Sequence, residues 1–192
     1  DVLQKSRVIL EIGSGFGRLV HSIIQSFDNI EKFYVVDLEW MLQISFKYLK
    51  EVLTDNEFSK IEFIQIKDYN LLTDIDLTIN INSFQEMEEK TIKDYLMFIS
   101  KNSKYFYSKN TVCKYNPISI DLDIENKEQF NVAKEMGLSR NMIDIFDVEV
   151  LEKEKSIHEL LYCPSNFRIE KHQDCFGQFL HYYSVLYKKA NI

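Results

Sequence analysis

Apolar and polar positions follow two different periods along the first 110 residues. Short β-prone runs alternate with longer segments whose apolar residues recur with helical spacing, as in Leu19, Val20, Ile23 and Ile24. The runs that we predict as strands cover residues 8–12, 32–37, 61–66, 76–82 and 104–109. Because strands that alternate with helices pair in parallel, the pattern predicts a doubly wound α/β fold.

The pattern changes after the fifth predicted strand. Residues 110–166 are rich in polar side chains, contain both prolines of the chain and include one predicted helix, at 127–136, which ends at Gly137. We interpret this segment as an insertion that covers the sheet. The β-prone run at 179–188 then predicts one more strand near the end of the chain.

Three glycines follow the first predicted strand at intervals of two residues. Gly13, Gly15 and Gly17 stand between the apolar run at 8–12 and the helical pattern that starts near Arg18. Glycine tolerates the backbone of a sharp strand-to-helix turn and lets a ligand approach the main chain, and the helix offers free N–H groups. The turn is therefore predicted to bind a nucleotide-like ligand. A glycine-rich turn without a ligand is the alternative.

Two features favour a ligand other than a dinucleotide. The dinucleotide fingerprint places its third glycine one residue later, where this chain has Arg18. Glu11, an acid inside an apolar run, suits a cationic or amine-bearing ligand better than a phosphate. Asp37 ends the second predicted strand 20 residues after Gly17, near the spacing of a carboxylate that binds a ribose diol. A cap for the helix that begins near Trp40 is the alternative role of Asp37.

The segment Leu-Glu-Ile-Gly-Ser-Gly-Phe-Gly at 10–17 and Val-Val-Asp-Leu at 35–38 resemble the first two motifs of the class I S-adenosylmethionine-dependent methyltransferases. The resemblance implies a Rossmann-like methyltransferase fold, with a seven-stranded, mostly parallel sheet and an antiparallel terminal strand. It also implies S-adenosylmethionine as cofactor, with Asp37 on the ribose and Asp68 on the adenine, although Asp68 could equally be a turn aspartate. The cofactor-binding residues expected on this basis are Glu11, Gly13, Ser14, Gly15, Gly17, Arg18, Asp37, Leu38, Asp68, Tyr69, Asn82 and Ser83.

A polar cluster follows the fourth predicted strand. Since ligands bind at the carboxyl ends of parallel strands, residues 82–86 are expected at the site. The run Asn-Ser-Phe-Gln-Glu-Met at 82–87 resembles the corresponding segment of sugar O-methyltransferases among bacterial surface-polysaccharide enzymes. This resemblance covers residues 8–110 well and the remainder poorly, and the alternative is that Gln85 and Glu86 cap the next helix. It implies transfer to a sugar hydroxyl, with residues 110–166 forming part of the acceptor pocket and with Gln85, Asn110, Tyr115 and Asn116 as acceptor-binding residues.

Methyl transfer to a hydroxyl requires alignment of the oxygen with the methyl group and a base that removes the proton. Glu86 is a candidate base because of its predicted position, and His158 is the other because the ordinary pKa of histidine suits the task. His172 and His181 fall in the same part of the chain, whereas His21 is expected to be structural. No group of Asp, Glu and His has metal-ligand spacing, so no metal is predicted.

Composition limits the other functions. A net charge of −7 argues against nucleic acid as a partner. The resemblance to the methyltransferases implies a small-molecule or glycan substrate. No segment resembles a membrane span or a signal peptide, and the three cysteines lack metal-type spacing, so we expect a cytoplasmic protein. The length indicates a single methyltransferase domain over residues 1–192. The short segment before the first strand indicates a piece of a longer chain, with additional domains.

Three alternatives stay open. The same fold could methylate another small molecule or a protein. It could also be a non-catalytic module that binds S-adenosylmethionine. A dehydrogenase is the third, and a titration with S-adenosylhomocysteine against NAD would separate it from the others.

Overall fold

The structure is a computed structural model that describes residues 2–117, 124, 126–175 and 180–190. Its strands are β1 (Val8–Ile12), β2 (Lys32–Asp37), β3 (Ile61–Gln65), β4 (Ile75–Ile81), β5 (Ser103–Thr111), β6 (Lys114–Tyr115), β7 (Met142–Ile143), β8 (Phe167–Asp174) and β9 (Tyr182–Lys189). Its helices are α1 (Arg18–Ser26), α2 (Glu39–Val52), α3 (Asp55–Phe58), α4 (Glu89–Asn102), α5 (Lys127–Glu135) and α6 (Val148–Leu161). Short 3₁₀ helices lie at Leu3–Lys5, Ile66–Leu71 and Phe84–Glu86. Within these ranges, none of the helices has both the length and the apolar composition needed to cross a membrane.

Seven strands form one sheet in the order β3-β2-β1-β4-β5-β9-β8, and β6 pairs with β7 in a separate ribbon. Among the seven, β9 runs antiparallel to both of its neighbours, and the other pairings are parallel. The chain crosses from β3 at one edge to β4 beside β1, so the sheet has a switch point next to β1, where ligands bind in such folds. The predicted fold class, a doubly wound and mostly parallel sheet with an antiparallel terminal strand, is confirmed.

Hydrophobic clusters cover both faces of the sheet. Helices α1 and α2 pack on one face, through side chains such as Ile23 and Leu49. Helices α4 and α6 contribute to the cluster on the other face, through side chains such as Tyr95 and Leu151. Strands that are buried on both faces consist of nearly continuous apolar residues, which explains why β1, β2 and β4 were visible in the sequence.

Four described elements in the second half of the chain were not predicted, namely helix α6, strand β8 and the two short strands β6 and β7 of the separate ribbon. Helix α6 lies between β5 and β8 in the sequence and was not predicted. Its buried residues belong to the hydrophobic layer that covers one face of the sheet. Part of the segment 110–166 is therefore a covering helix of the main fold. Strand β8 was not predicted either, because it is an edge strand whose side chains are mainly polar and exposed. Such a strand lacks the apolar pattern on which the prediction depended.

Candidate functional site

The glycine turn joins β1 to α1 at the switch point. Its three glycines all have positive φ, 74° at Gly13, 56° at Gly15 and 90° at Gly17, where side chains are disfavoured. A Cβ atom at Gly13 would lie 2.2 Å from Oγ of Ser83, and one at Gly17 would lie 2.8 Å from Leu49. At Gly15 no atom of the described residues lies within 4 Å of the Cβ position. The two outer glycines are therefore required by packing, whereas Gly15 leaves space for a ligand.

Asp37 closes the turn from the neighbouring strand. It ends β2, and its carboxylate accepts hydrogen bonds from the backbone N–H of Gly15 (2.9 Å) and of Leu38 (2.7 Å). Burial raises the pKa of Asp37, and hydrogen bonds from the backbone of Leu38, Gly15 and Ser14 oppose that rise. Because β1 and β2 pair in parallel with Ile12 opposite Val36, the turn and Asp37 meet at one edge of the sheet.

Glu11 is a buried acid in β1, with 3% of its surface exposed. Burial is the main cause that raises its pKa from 4.5 to about 8, and the charge of Asp37 adds to the rise. Oxygen Oε2 of Glu11 has no hydrogen-bond partner among the described residues. The carboxylate of Asp37 attracts a cation and repels a phosphate, whereas Glu11 keeps its proton at neutral pH and would ionise if a cation were bound beside it. The electrostatics of the turn therefore favour a positively charged ligand.

A cavity of about 660 Å³ opens beside the turn, and we call it the first cavity. This volume falls within the range of small-molecule sites, roughly 300 to 1,000 Å³. Residues from the glycine turn after β1, from β2 and from the end of β4 meet around it. The predicted cofactor-binding residues that line it are Gly13, Gly15, Asp37, Leu38, Asn82 and Ser83.

The other predicted cofactor-binding residues do not line this cavity. They are Glu11, Ser14, Gly17, Arg18, Asp68 and Tyr69. Arg18 is exposed at the start of α1, and the ring of Tyr69 packs against Tyr95, with centroids 4.5 Å apart. Asp68 belongs to the 3₁₀ helix Ile66–Leu71, in which Ile66 reaches the cavity. The predicted contact of Asp68 with the ligand is therefore not supported, since the chain turns helical before Asp68 instead of continuing as a strand.

A buried hydrogen-bond network lies beneath the cavity. Asn80 donates to the carbonyl oxygen of Ile12 (2.9 Å) and to Oγ of Ser83, and its Oδ1 accepts from Nδ2 of Asn110 (2.8 Å). Nδ2 of Asn110 also donates to Oγ of Ser108 (3.0 Å). Asn110 is completely buried and lines none of the described cavities. The structure therefore does not bring Asn110 to either cavity, and its amide nitrogen connects β5 to β4.

A second cavity, of about 550 Å³, borders the 3₁₀ helix Phe84–Glu86. Glu86 lines both cavities, and no other described residue does so. Gln85 lines the second cavity; its Oε1 accepts a hydrogen bond from the N–H of Thr111 (3.0 Å), and its Nε2 donates to the hydroxyl of Tyr182 (3.3 Å). This short helix therefore separates the two cavities, and it places Glu86 where they meet.

The second cavity has both polar and apolar walls. Tyr115, a predicted acceptor-binding residue, lines it, whereas Asn116 does not: the N–H of Asn116 donates to the carbonyl oxygen of Ile143 and extends the small ribbon. Burial lowers the pKa of His181, which also lines the cavity. The apolar wall comes mainly from α5 and the residue after it, namely Phe130, Val132, Ala133 and Met136.

His158 lies away from both cavities. Its side chain in α6 is 0% exposed, its Nδ1 is 3.0 Å from Oγ of Ser139, and its ring packs on Tyr162 with centroids 4.4 Å apart. Burial lowers the pKa of His158 to about 3. A base must contact the acceptor, and the structure does not bring His158 to either cavity, so it gives no support to His158 as the base. Glu86 is the candidate base that remains.

Sequence reasoning missed most of the apolar lining of the first cavity. The missed residues are Val36, Trp40, Met41, Ile66, Ile81, Met87 and Tyr95, together with the polar Glu88 and Thr91. Trp40 carried a signal that could have been used, because a large aromatic residue stands three residues after Asp37 in the first turn of a helix. In the structure 56% of its surface is exposed. Tyr95 carried none, since its position in α4 is that of an ordinary core residue. Within the described ranges, no group of three or more His, Cys, Asp or Glu side chains is arranged to hold a metal ion.

Comparison with known proteins gives structural relatives only. No protein-family model matches the chain, and no curated protein matches its sequence. The mitomycin 7-O-methyltransferase MmcR is similar with a TM-score of 0.64 and 10% identity, over 98% of this chain and 50% of that one. Human N-acetylserotonin methyltransferase, in complex with S-adenosylmethionine, is similar with a TM-score of 0.62 and 12% identity, over 98% of this chain and 49% of that one. The methyltransferase domain of bacterial CtHen1-C is similar with a TM-score of 0.65 and 10% identity, over 96% of this chain and 90% of that one.

The chain therefore spans about half the length of the first two of these relatives. At such identities the likeness concerns the fold and does not extend to the reaction or the substrate. Together with the strand order and the glycine turn, it shows that this chain has the fold of the class I S-adenosylmethionine-dependent methyltransferases.

Proposed function

We propose that this chain is an S-adenosylmethionine-dependent methyltransferase that acts on a hydroxyl oxygen of a small acceptor. The observation that carries the proposal is that two cavities adjoin at Glu86. One contains the glycine turn and Asp37, and the other has room for a second ligand. Group transfer between two bound molecules requires adjoining sites of this kind.

The residues of the first cavity suit the proposed cofactor. Asp37 offers carboxylate oxygens to ribose hydroxyls, and the open main chain at Gly15 leaves room for the neighbouring part of the molecule. The exposed apolar side chains of Leu38 and Trp40 offer a surface for the adenine ring. The carboxylate of Asp37 favours a ligand with positive charge and repels a phosphate, so it suits a sulfonium better than the pyrophosphate of a dinucleotide.

Bound S-adenosylmethionine would supply an electrophilic methyl group. The chain then has to hold the acceptor oxygen in line with that group and take up the hydroxyl proton. We assign the second task to the carboxylate of Glu86, which is exposed between the cavities. Gln85 is held in place by Thr111 and Tyr182 and would orient the acceptor.

Two classes of acceptor have support. A sugar hydroxyl, in a nucleotide-linked sugar or a growing glycan, is implied by the resemblance of residues 82–87, and the exposed ring of Tyr115 offers a face for a sugar ring. An aromatic hydroxyl is the second candidate, because Phe130 and Met136 form an apolar wall. Mitomycin 7-O-methyltransferase and N-acetylserotonin methyltransferase are both named for acceptors other than sugars.

The segment 110–166 has a proposed role in this reaction. Lys114, Tyr115 and the lining residues of α5 all belong to it, so it would form one wall of the acceptor site. We propose that the described fold is one methyltransferase domain and that acceptor choice depends on this segment. Exchange of α5 for an unrelated helix should change the acceptor without changing the affinity for the cofactor.

The cofactor assignment is tested by calorimetric titration with S-adenosylhomocysteine and, separately, with NAD. Replacing Asp37→Ala should weaken S-adenosylhomocysteine binding at least tenfold, about 1.4 kcal/mol, since hydrogen bonds to a charged acceptor are lost. Asp68→Ala is the matched control: it removes the same charge outside the cavity and should leave the affinity unchanged. Binding of NAD in place of S-adenosylhomocysteine, or full affinity in Asp37→Ala, would contradict the assignment.

The reaction is tested by transfer of a labelled methyl group to a panel of sugars, nucleotide sugars and phenols. Glu86→Gln should slow the transfer by about 10²- to 10⁴-fold with unchanged S-adenosylhomocysteine affinity, as expected for loss of a general base. Glu88→Gln is its control, since Glu88 lines the first cavity but not the second. Methylation of phenols alone would select the aromatic acceptor. Cofactor binding without transfer to any compound would indicate a non-catalytic binding module.

A further inference from the structure

Lys114 is a partly buried cation on the wall of the second cavity. Its Nζ donates one hydrogen bond, to the backbone carbonyl oxygen of Gln85 at 3.2 Å. Within the described residues, this neutral oxygen is its one hydrogen-bond acceptor, and no carboxylate oxygen lies within 4.0 Å of it. An ammonium group has three N–H donors, so two of them are left for water or for a ligand.

Lys155 shows how the same fold treats another shielded lysine. Its ammonium pairs with the carboxylates of Glu152 (2.7 Å) and Asp174, and it lies 5.6 Å from the ring centre of Tyr183. The pKa of Lys155 is raised, since these partners outweigh the effect of burial. Lys155 is therefore a paired, structural cation, as shielded lysines normally are.

Lys114 has the opposite environment. Burial lowers its pKa, and the nearby charge of Arg140 lowers it further, while Glu86 and Cys113 oppose the change only in part. Arg140 is itself satisfied, because it pairs with Glu89 at 3.2 Å and donates to the carbonyl oxygen of Gly137 at 3.0 Å. A partly buried positive charge that lacks a carboxylate partner is stabilised when a ligand supplies the anion.

We propose that Lys114 is an oxyanion-binding subsite of the second cavity, so that the acceptor carries a phosphate or carboxylate group as well as the hydroxyl that is methylated. The identification of this ligand as the acceptor rests on the proposed function; the anion site itself does not. Two carboxylates, Glu86 and Glu128, also line the cavity and would repel a second anion. The lining also contains Lys134 of α5, whose ammonium lies 5.8 Å from the ring centre of Phe130. The proposal assigns the oxyanion to Lys114 and leaves the neutral hydroxyl near Glu86.

The subsite is tested by titrating the full chain with three probes: inorganic phosphate, glucuronate and glucose. The wild type should bind phosphate or glucuronate more tightly than glucose, and which of the two binds identifies the anion. Lys114→Met should weaken the binding of the anionic probe at least tenfold, about 1.4 kcal/mol, while Lys114→Arg should keep most of it. Lys153→Met removes one positive charge from an exposed position on α6 and should have no effect.

Ionic strength gives a second measurement that does not depend on a variant. Raising the salt from about 50 to about 500 mM should weaken the anionic probe and leave glucose unaffected, because salt screens the interaction. Failure of the wild type to bind either anion, or equal binding by Lys114→Met, would overturn the subsite. Anion binding through Lys114 without S-adenosylhomocysteine binding would overturn the proposed function and leave the subsite intact. If the chain bound S-adenosylhomocysteine and transferred methyl groups, but Lys114→Met bound the anionic probe as tightly as the wild type, the subsite would be overturned and the proposed function would stand.

Discussion

Replacement of Gly15 by alanine separates the role of the glycine turn in folding from its role in ligand binding. Gly15 has a φ of 56°, and its Cβ position is free of described atoms within 4 Å, while Gly15 itself lines the first cavity. The added methyl group would therefore meet no neighbour in the protein and would stand beside the bound cofactor. We expect Gly15→Ala to fold and to bind S-adenosylhomocysteine at least tenfold more weakly, about 1.4 kcal/mol.

The cost to stability follows from the backbone. An L-residue in the left-handed region loses roughly 1–2 kcal/mol, so Gly15→Ala should lower the free energy of unfolding by about that amount. Gly13→Ala has the same backbone cost, since its φ is 74°, and its Cβ would lie 2.2 Å from Oγ of Ser83. Forcing that contact adds about 1–3 kcal/mol, because Ser83 also accepts a hydrogen bond from Asn80.

Scanning calorimetry and calorimetric titration measure the two effects independently. At about 2–4 °C per kcal/mol for a chain of this size, Gly15→Ala should unfold a few degrees below the wild type, and Gly13→Ala distinctly lower still. Gly15→Ala is the informative variant, since its binding loss is not caused by unfolding. If it bound S-adenosylhomocysteine as tightly as the wild type, no ligand would pass close to Gly15, and the assignment of the first cavity would be refuted.

Two further predictions concern buried ionisable groups. Above pH 4.5 the unfolded chain releases the Glu11 proton, whereas the folded chain keeps it until about pH 8. Glu11 therefore lowers the free energy of unfolding as the pH rises through that range, by up to about 1.4 kcal/mol per pH unit. Glu11→Gln should therefore gain stability relative to the wild type over this range, and parallel denaturant curves at all pH values would contradict the buried carboxyl. The pKa of His158 is lowered from 6.5 to about 3 in the folded chain. Between these pH values the unfolded chain binds a proton at His158 and the folded chain does not, so the free energy of unfolding should fall as the pH drops from 6.5 towards 3. His158→Gln should lack this dependence and keep its methyl transfer per folded molecule within about twofold, and a much larger loss of transfer would restore His158 to the site.

The glycine turn and its position beside Asp37 could be predicted from the sequence because their signals are local. A strand, a turn and the start of a helix occupy one continuous stretch, and the requirement for glycine at Gly13 and Gly15 acts through each residue's own backbone. Asp37 could be placed because parallel strands joined by one helix put their carboxyl ends at the same edge. The position of Asp68 relative to the cavity could not be predicted, because the sequence does not distinguish a turn that forms a 3₁₀ helix from one that stays extended.

The acceptor side depends on contacts between distant parts of the chain. Gln85 reaches Thr111 and Tyr182, and Glu86 joins two cavities whose other walls come from separate elements. His158 and Asn110 are residue types that commonly occur in acceptor sites, but both side chains are buried by packing against distant parts of the chain. The local sequence around each residue does not indicate this burial. The chain's own order of residues thus determined the sheet, the glycine turn and the position of Asp37 beside it, through short-range sterics and periodicity. Which polar groups face a ligand was decided by tertiary packing alone, because exposure is a property of neighbours that are remote in sequence.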